Sequence, residues 1–318
     1  MSRPPALVLA AGLGTRLRPL TYVRAKAAVP LNGEPLARRV SRWLGANGFT
    51  DQVFNLHHHP VSVAACLGDG AGLGVRVQYS WEQPVLGSAG GPRHALPLLT
   101  DRGAPRFLMV NGDTLTDVDL DGLLRRHQQS GALVTMALIP NPAPLQYGGV
   151  TVTDGFVSAF TRPGAVAGSY HFIGVQVAEA DVFATLEDGV PCESVGALYP
   201  ALMRRAPGAV AAFVSSASFR DIGTPADCLR TSLTLAEEEG DHLVSPRATV
   251  AASAIVERTA LWDDVQVAGG ARLVECIVGD GARIPPDISL TRAAIVPAGS
   301  CEPSGDERIE HGLLIRPL

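Results

Sequence analysis

The stretch Leu7-Val-Leu-Ala-Ala-Gly-Leu-Gly-Thr-Arg-Leu-Arg-Pro-Leu-Thr21, with Lys26 five residues beyond it, gathers the residue types of this 318-residue chain best suited to phosphate chemistry. Gly12 and Gly14 open a loop whose bare backbone lets a ligand approach closely. Amides running from Leu9 through Ala10, Ala11 and Gly12 to Thr15 can form a nest for phosphate oxygens, and Arg16 can add a forked, charge-assisted grip. Lys26 is the single lysine beside 25 arginines, so a compact point charge stands where the chain otherwise chooses a fork. That contrast points to catalysis. The third glycine of a dinucleotide fingerprint and the Gly-Lys-Ser/Thr of a Walker loop are both missing, so neither of those phosphate sites fits.

Such groups need rigid elements beneath them. Leu7 to Ala10 reads as a short buried strand, and Pro35 to Gly48 as a helix with Leu36, Val40, Trp43 and Leu44 at helical spacing. Asp51 to Leu56 reads as a second strand ending in three histidines. Neighbouring side chains of an extended segment point to opposite faces, so His57, His58 and His59 read as a polar strand end and not as a metal site. Val75 to Tyr79 is a third strand. The small residues Gly87 to Gly91 beyond it can take a planar group against backbone and open a helix from about Pro92 to Leu99. Glu82 just before them can accept from both N1–H and the 2-amino group of guanine, whereas uracil and thymine offer only N3–H, so it leans towards GTP; a solvated loop carboxylate is the alternative. Arg106 to Val110 leads to Asn111-Gly-Asp113, which puts a hard oxygen ligand suited to Mg²⁺ at the carboxyl end of a buried strand. Asp117, Asp119 and Asp121 are expected to cap and start a helix over Leu120 to Ser130. Leu133 to Ile139 is a further buried strand, and Thr224-Pro225 opens a helix to about Glu239.

Composition narrows the class. With 46% hydrophobic and 18% charged residues and no apolar run of membrane-spanning length, the chain reads as soluble and globular, with no membrane partner. A net charge of −5 argues against nucleic acid. Cys66, Cys192, Cys228, Cys276 and Cys301 are scattered and odd in number, so reduced thiols are expected. No secretory signal precedes the first strand, and a cytoplasmic address is the expectation.

From Val250 the period changes. Ile255, Leu261, Val267 and Leu273 are spaced by six, and Val278, Ile284 and Leu290 continue by six after one five-residue step. Small residues (Ala254, Ala260, Ala271, Ala282) recur between them. This is the pattern of a left-handed parallel β-helix of two to three coils, interrupted at Pro285-Pro286. The expected division is therefore 1–240 and 241–318. So short a stack is expected to pack on the first domain or on another subunit, giving a homo-oligomer through the β-helix, and the tail from Glu302 is expected to add a last strand.

The string Ala10-Ala-Gly-Leu-Gly-Thr-Arg-Leu-Arg-Pro-Leu-Thr, followed by Lys26 and Val29-Pro30, closely resembles the signature of sugar-1-phosphate nucleotidyltransferases, and the resemblance covers nearly the whole chain. It implies an α/β fold, a Rossmann-like mixed sheet flanked by helices, with a short left-handed β-helix at the carboxyl end. Leu86-Gly-Ser-Ala-Gly90 is similar to the family's Leu-Gly-Thr-Ala-Gly base loop, which implies nucleotide contacts at Gly87 and Ser88. Asn111-Gly112-Asp113 resembles the metal-binding Asn-Gly-Asp segment. Phe219-Arg-Asp-Ile-Gly-Thr-Pro225 resembles Trp-x-Asp-Ile-Gly-Thr-Pro, which makes Asp221 the second Mg²⁺ ligand. Gly149 and Gly174 fall at implied sugar contacts. Phe160-Thr-Arg-Pro163 stands where Glu-Lys-Pro is usual: Arg162 keeps the charge for the sugar phosphate, while Thr161 offers a hydroxyl in place of the carboxylate. Ala25 replaces the usual proline before Lys26. His171 reads as structural or as a sugar contact, because an ionised phosphate nucleophile needs no strong base.

The implied reaction is NTP + sugar 1-phosphate → NDP-sugar + pyrophosphate, with Mg²⁺, and with Arg16, Lys26 and Asp113 as catalytic residues. GTP and mannose 1-phosphate are the favoured substrates. Alternatives are uridylyl or thymidylyl transfer to glucose, amino-sugar or MurNAc 1-phosphate, and a non-catalytic sugar-nucleotide sensor. Retention of Arg16, Lys26, Asp113 and Asp221 together weighs against the sensor.

Overall fold

The computed structural model describes residues 3–299 and 302–318, so Cys301 lies outside the described residues. Nine strands form one sheet: β1 Ala6–Leu9, β2 Asp51–Leu56, β3 Arg76–Trp81, β4 Arg106–Asn111, β5 Val134–Pro140, β6 Gly149–Thr153, β7 Phe156–Thr161, β8 Tyr170–Glu179 and β9 Val210–Val214. Their order is β3-β2-β1-β4-β8-β5-β9-β7-β6. The first four are mutually parallel, β8 runs antiparallel to both β4 and β5, and β9 returns parallel to β5. Continuous apolar runs such as Phe107 to Val110 and Val134 to Ile139 are buried throughout, as strands covered on both faces require. Leu9 is in register with both Asn55 and Asn111, so three loops start at one level on the carboxyl edge.

The contacts divide the chain into two compact units. The first comprises 1–12, 40–60 and 67–220, and contains the nine-stranded sheet; the second comprises 13–39, 61–66 and 221–318. The phosphate-loop residues from Leu13 onward and the helix Pro225–Glu239 thus cluster with the carboxyl-terminal stretch, although the sequence period alone places a division at 240.

Several expected elements differ at their ends. The helix of the base loop begins at Gly87, five residues before Pro92, and runs to Leu99 with both Pro92 and Pro97 inside it. Pro60–Leu67 is a helix that the histidine run conceals. Asp119 caps Leu120–Ser130 by accepting from the Gly122 amide, as expected, whereas Asp117 instead takes the Ser218 amide at 2.7 Å. Thr224 and Asp227 form a reciprocal capping box at the start of Pro225–Glu239.

Beyond residue 248 the second unit holds three short parallel ladders, the third extended by antiparallel strands of the tail. Thr249, Gln266 and Arg283 are aligned, as are Ile255, Arg272 and Ser289, and Ala260, Ile277 and Ala294, each 17 residues after the last. Stacked parallel ladders of this kind are consistent with a β-helix. Inward side chains are Val256, Leu261, Val267, Leu273, Val278, Ile284, Leu290 and Ile295. Ile255, expected at an inner corner, is 43% exposed; the corner belongs to Val256, aligned with Leu273 and Leu290. The five-residue step therefore occurs once in every coil. Pro285 and Pro286 sit between ladders, where no strand hydrogen bond is lost. Leu313–Pro317 pairs antiparallel with Ala293–Pro297, the last strand expected of the tail.

Candidate active site

In the first unit the base loop is held from beneath. Glu82, expected to face a guanine edge, is 4% exposed, and its carboxylate faces inward: Oε1 accepts from Asn55 Nδ2 at 2.6 Å and Oε2 from the Leu86 amide at 2.8 Å. Asn55 Oδ1 in turn accepts from the Ala10 amide at 2.6 Å. The expectation for Glu82 is corrected accordingly. Two buried donors already occupy it, so it joins β1, β2 and the base loop instead of reading a base. The exposed polar side chain of this segment is the neighbouring Gln83, whose amide offers both a donor and an acceptor. In the sequence the adjacent carboxylate masks it. Asn55 did leave a signal, as a polar residue closing the apolar run Val53-Phe54.

Gly87 has φ +76°, and a Cβ there would lie 2.6 Å from Glu193 Oε1 and 2.8 Å from the Cys192 carbonyl, so side chains are excluded. Ser88 Oγ donates to Glu193 Oε2 at 2.6 Å and accepts from the Ser194 amide at 2.9 Å. The Ala89 and Gly90 amides both reach the Cys192 carbonyl. No sequence pattern announced that residues 192–194 back the base loop. Next along the edge, the Gly112 amide donates to the Leu9 carbonyl at 2.9 Å, which sets the turn carrying Asp113 at the end of β4.

Farther along the sheet lie the expected sugar residues. A Cβ on Gly149 would come within 2.6 Å of both Thr161 Oγ1 and Ser169 Oγ, so Gly149 and Thr161 share one small space. Gly174 lies in the irregular stretch of β8 between Phe172 and Gln176 and packs on Asn111. Arg162 is exposed just after β7. His171 lies between Tyr147, at 4.4 Å between ring centroids, and Phe219, at 4.8 Å, with its ring tilted to both. Burial pushes the His171 imidazole below its ordinary pKa, against a hydrogen bond to the Gly148 carbonyl, so the ring is held neutral. Two polar atoms here are buried without a partner, Thr161 Oγ1 and His171 Nδ1. Native proteins seldom leave such atoms unpaired, and an aromatic wall beside an orphan hydroxyl and an orphan ring nitrogen suits a sugar ring.

The second unit carries the remaining residues. Gly14 has φ +62°, and a Cβ there would meet Thr21 Cγ2 at 2.8 Å and Lys26 Cβ at 3.2 Å. The absent side chain is what lets the stem of Lys26 lie against the loop. Thr15, Arg16 and Leu17 form a single 3₁₀ turn, and Thr21 Oγ1 donates to the Gly14 carbonyl at 2.9 Å. A Cβ on Gly223 would lie 3.1 Å from both Arg16 Nη1 and Asp221 Oδ2, so the guanidinium and the carboxylate crowd one face of this glycine. Among the described residues no group of three or more His, Cys, Asp or Glu could hold a metal ion. A single hard carboxylate such as Asp113 or Asp221 suits Mg²⁺, which keeps most of its shell for water and substrate phosphates.

A groove of about 940 Å³ opens at the amino ends of the parallel strands, lined by Arg3, Arg76, Arg102 and Arg106 among others. Each of the four is paired with a carboxylate: Asp121, Asp51, Asp51 and Glu179 in turn. This is a surface ion-pair network at the end of the sheet away from the site. No helix among the described residues is long and apolar enough to cross a membrane.

The profile of the nucleotidyl transferase family matches residues 5–238. A mannose-1-phosphate guanylyltransferase from Mycobacterium tuberculosis is 28% identical over 300 residues, 90% of this chain and 83% of its own. An N-acetylmuramate α-1-phosphate uridylyltransferase from Neisseria meningitidis serogroup B is 34% identical over 201 residues, 62% of this chain and 83% of its own. Among solved structures, HddC from Yersinia pseudotuberculosis superposes with a TM-score of 0.64 at 21% identity, covering 73% of this chain and 99% of that one.

Proposed function

The chain belongs to the nucleotidyl transferase family, and from that premise we propose that it transfers a guanylyl group from GTP to mannose 1-phosphate, giving GDP-mannose and pyrophosphate. The observation that carries the reaction class is the second-unit loop, where Lys26 lies against Gly14 while Arg16 and Asp221 flank Gly223. In this reading a phosphate oxygen of the sugar 1-phosphate attacks the α-phosphorus in line; a new P–O bond forms as the bond to pyrophosphate breaks. Lys26 and Arg16 offset the charge that develops on the α-phosphate and the leaving group. Arg162 holds the incoming phosphate, and the loop amides from Leu9 to Thr15 hold the triphosphate. Mg²⁺, held by Asp113 and Asp221, would supply further charge neutralisation on the phosphates.

Support for guanine and mannose no longer comes from Glu82, whose carboxylate is engaged. It comes from extent: the guanylyltransferase relative aligns along 90% of this chain, through the parallel ladders, whereas the uridylyltransferase aligns along 62%. A second reading, uridylyl transfer to MurNAc 1-phosphate, is favoured by Thr161, which leaves an acidic sugar without a carboxylate to repel it.

Pyrophosphate release with Mg²⁺, measured for four NTPs against mannose, glucose, N-acetylglucosamine and MurNAc 1-phosphates, separates these. Turnover confined to GTP and mannose 1-phosphate is the expected result; turnover confined to UTP and MurNAc 1-phosphate replaces it with the second reading. Asp221→Asn is expected to shift the Mg²⁺ titration to higher concentration, and an unchanged titration would remove Asp221 from the metal site.

A further inference from the structure

Arg24 lies two residues before Lys26, and its side chain, 14% exposed, is turned onto the stacked coils. Nε and Nη2 take the two oxygens of Asp280, Nη2 at 2.7 Å from Oδ1, and Nη2 also donates to Asp263 Oδ2 at 2.7 Å. The guanidinium lies 5.7 Å from the centroid of the Trp262 ring. Asp263 and Asp280 are one coil apart, and the Asp263 amide donates to Asp280 Oδ1 at 3.2 Å. Ser245 Oγ donates to Asp263 Oδ1 at 2.6 Å, and Arg247 stands 3.7 Å from Oδ2, the oxygen that also takes Arg24.

The residues around Lys26 have no slack. Lys26–Ala28 is a 3₁₀ turn whose Ala28 amide closes on the Ala25 carbonyl at 2.8 Å. Ala25, Ala27 and Ala28 are buried, and the Ala25 amide donates to Ser62 Oγ at 3.0 Å. Arg24 Nη1 reaches the Ala28 carbonyl at 3.5 Å, spanning the turn from outside. The coils meet the same loop twice more. A Cβ on Gly279 would come within 3.2 Å of Val23 Cγ2, and Arg316 Nη1 donates to the Arg18 carbonyl at 2.8 Å.

We propose that Arg24 is a positioning residue: its fork on Asp280 and Asp263 clamps the Lys26 turn to the coils, so that the carboxyl-terminal stack sets where the lysine stands. Guanidinium is suited to the task because a planar fork fixes direction as well as distance, which a lysine at position 24 could not do. The inference rests on the reading of Lys26 as the group that stabilises the transferring phosphates.

The test is a double-mutant cycle in the full-length protein, with kcat and both KM values measured for Arg24→Ala, Lys26→Ala and the pair, and the milder Arg24→Lys and Asp280→Asn keeping the cycle readable if Arg24→Ala fails to fold. A displaced catalytic group costs on the order of 10- to 100-fold in rate, so kcat of Arg24→Ala should fall within that range. Nucleotide KM should change less than about threefold. In the Lys26→Ala background the same change should cost less than about twofold, because nothing remains to be positioned. Losses that multiply in the double variant would overturn the inference, as would an unchanged kcat in folded Arg24→Lys and Asp280→Asn. If Lys26→Ala alone leaves kcat intact, the reading of Lys26 falls first and Arg24 has nothing to position.

Discussion

In the first unit the end proposed to take the base and the end proposed to take the sugar are built on opposite plans. Around the base loop the inward-facing polar groups are used: Glu82 takes Asn55 and Leu86, Asn55 takes Ala10, and Ser88 is shared between Glu193 and Ser194, leaving the exposed Gln83 on offer. At the sugar end Thr161 Oγ1 and His171 Nδ1 are buried with no partner. An unmade buried hydrogen bond costs about 1–3 kcal/mol, so the first end is settled before a ligand arrives, while the second is relieved by one. A settled cradle binds by shape. An unsatisfied one would discriminate: in the proposed reading, a sugar that supplies the missing partners recovers what the fold left unmade.

If both ends only bind, the rate must be set by other residues, and the largest effect is expected from one of those. Lys26→Ala should lower kcat by roughly 10²-fold or more with both KM values little changed, on the scale of removing one preorganised charge from a transition state. Steady-state kinetics decide it; a raised KM at full kcat would make Lys26 one more binding residue.

Glu82→Ala probes the settled end. It strips the acceptor from two buried donors, so stability should drop by roughly 2–5 kcal/mol in denaturant titrations. In the fraction that folds, nucleotide KM should rise about tenfold while sugar KM holds. Equal rises in both would dissolve the contrast between the ends.

Thr161→Val should act the other way. Removing an orphan hydroxyl is expected to leave stability unchanged or raise it by about 1 kcal/mol, while sugar 1-phosphate KM rises several-fold. Thermal unfolding beside kinetics tests this, and a loss of stability would mean that the hydroxyl already serves the fold.

The smallest effect concerns pH. Burial lowers the pKa of His127, partly offset by its bond to Glu179, and burial likewise lowers that of His171. Unfolded, each imidazole takes up protons near its ordinary value of 6.5, while the folded ring resists. Stability is therefore complete above about pH 6.5 and declines as pH falls through the lower folded values. Denaturant midpoints at pH 7.5 and 5.5 should show the decline, and His127→Gln should flatten it.

What the sequence made legible follows how locally each feature is encoded. The cap at Thr224, the strand Asp51–Leu56 and the cap at Asp119 depend on neighbours within a few residues, and all three are as read, with the reciprocal bond from Asp227 added by the structure. The orientation of Glu82 depends on Asn55, 27 residues away, and could not be seen from its own surroundings. Glu193 reaches Ser88 across 105 residues. In the ladders the period was visible but its phase was not. Ile255 and Val256 are equally aliphatic, and only alignment with Leu273 on the next coil decides which faces in. The partners of Arg24 were hidden for a related reason, since arginine is this chain's default base and nothing marks one of 25 as an anchor.

The register of the ladders, 17 residues from Ala260 to Ile277 and again to Ala294, also determines how this part of the chain can change in length. A one-residue insertion between Asp263 and Asp280 would turn every later corner inside out and carry one carboxylate of the clamp off its face. A whole added coil would keep the phase of each ladder. Growth and loss here are thus quantised, and a coil grafted after Pro297 would lengthen the stack without moving the anchor of Arg24.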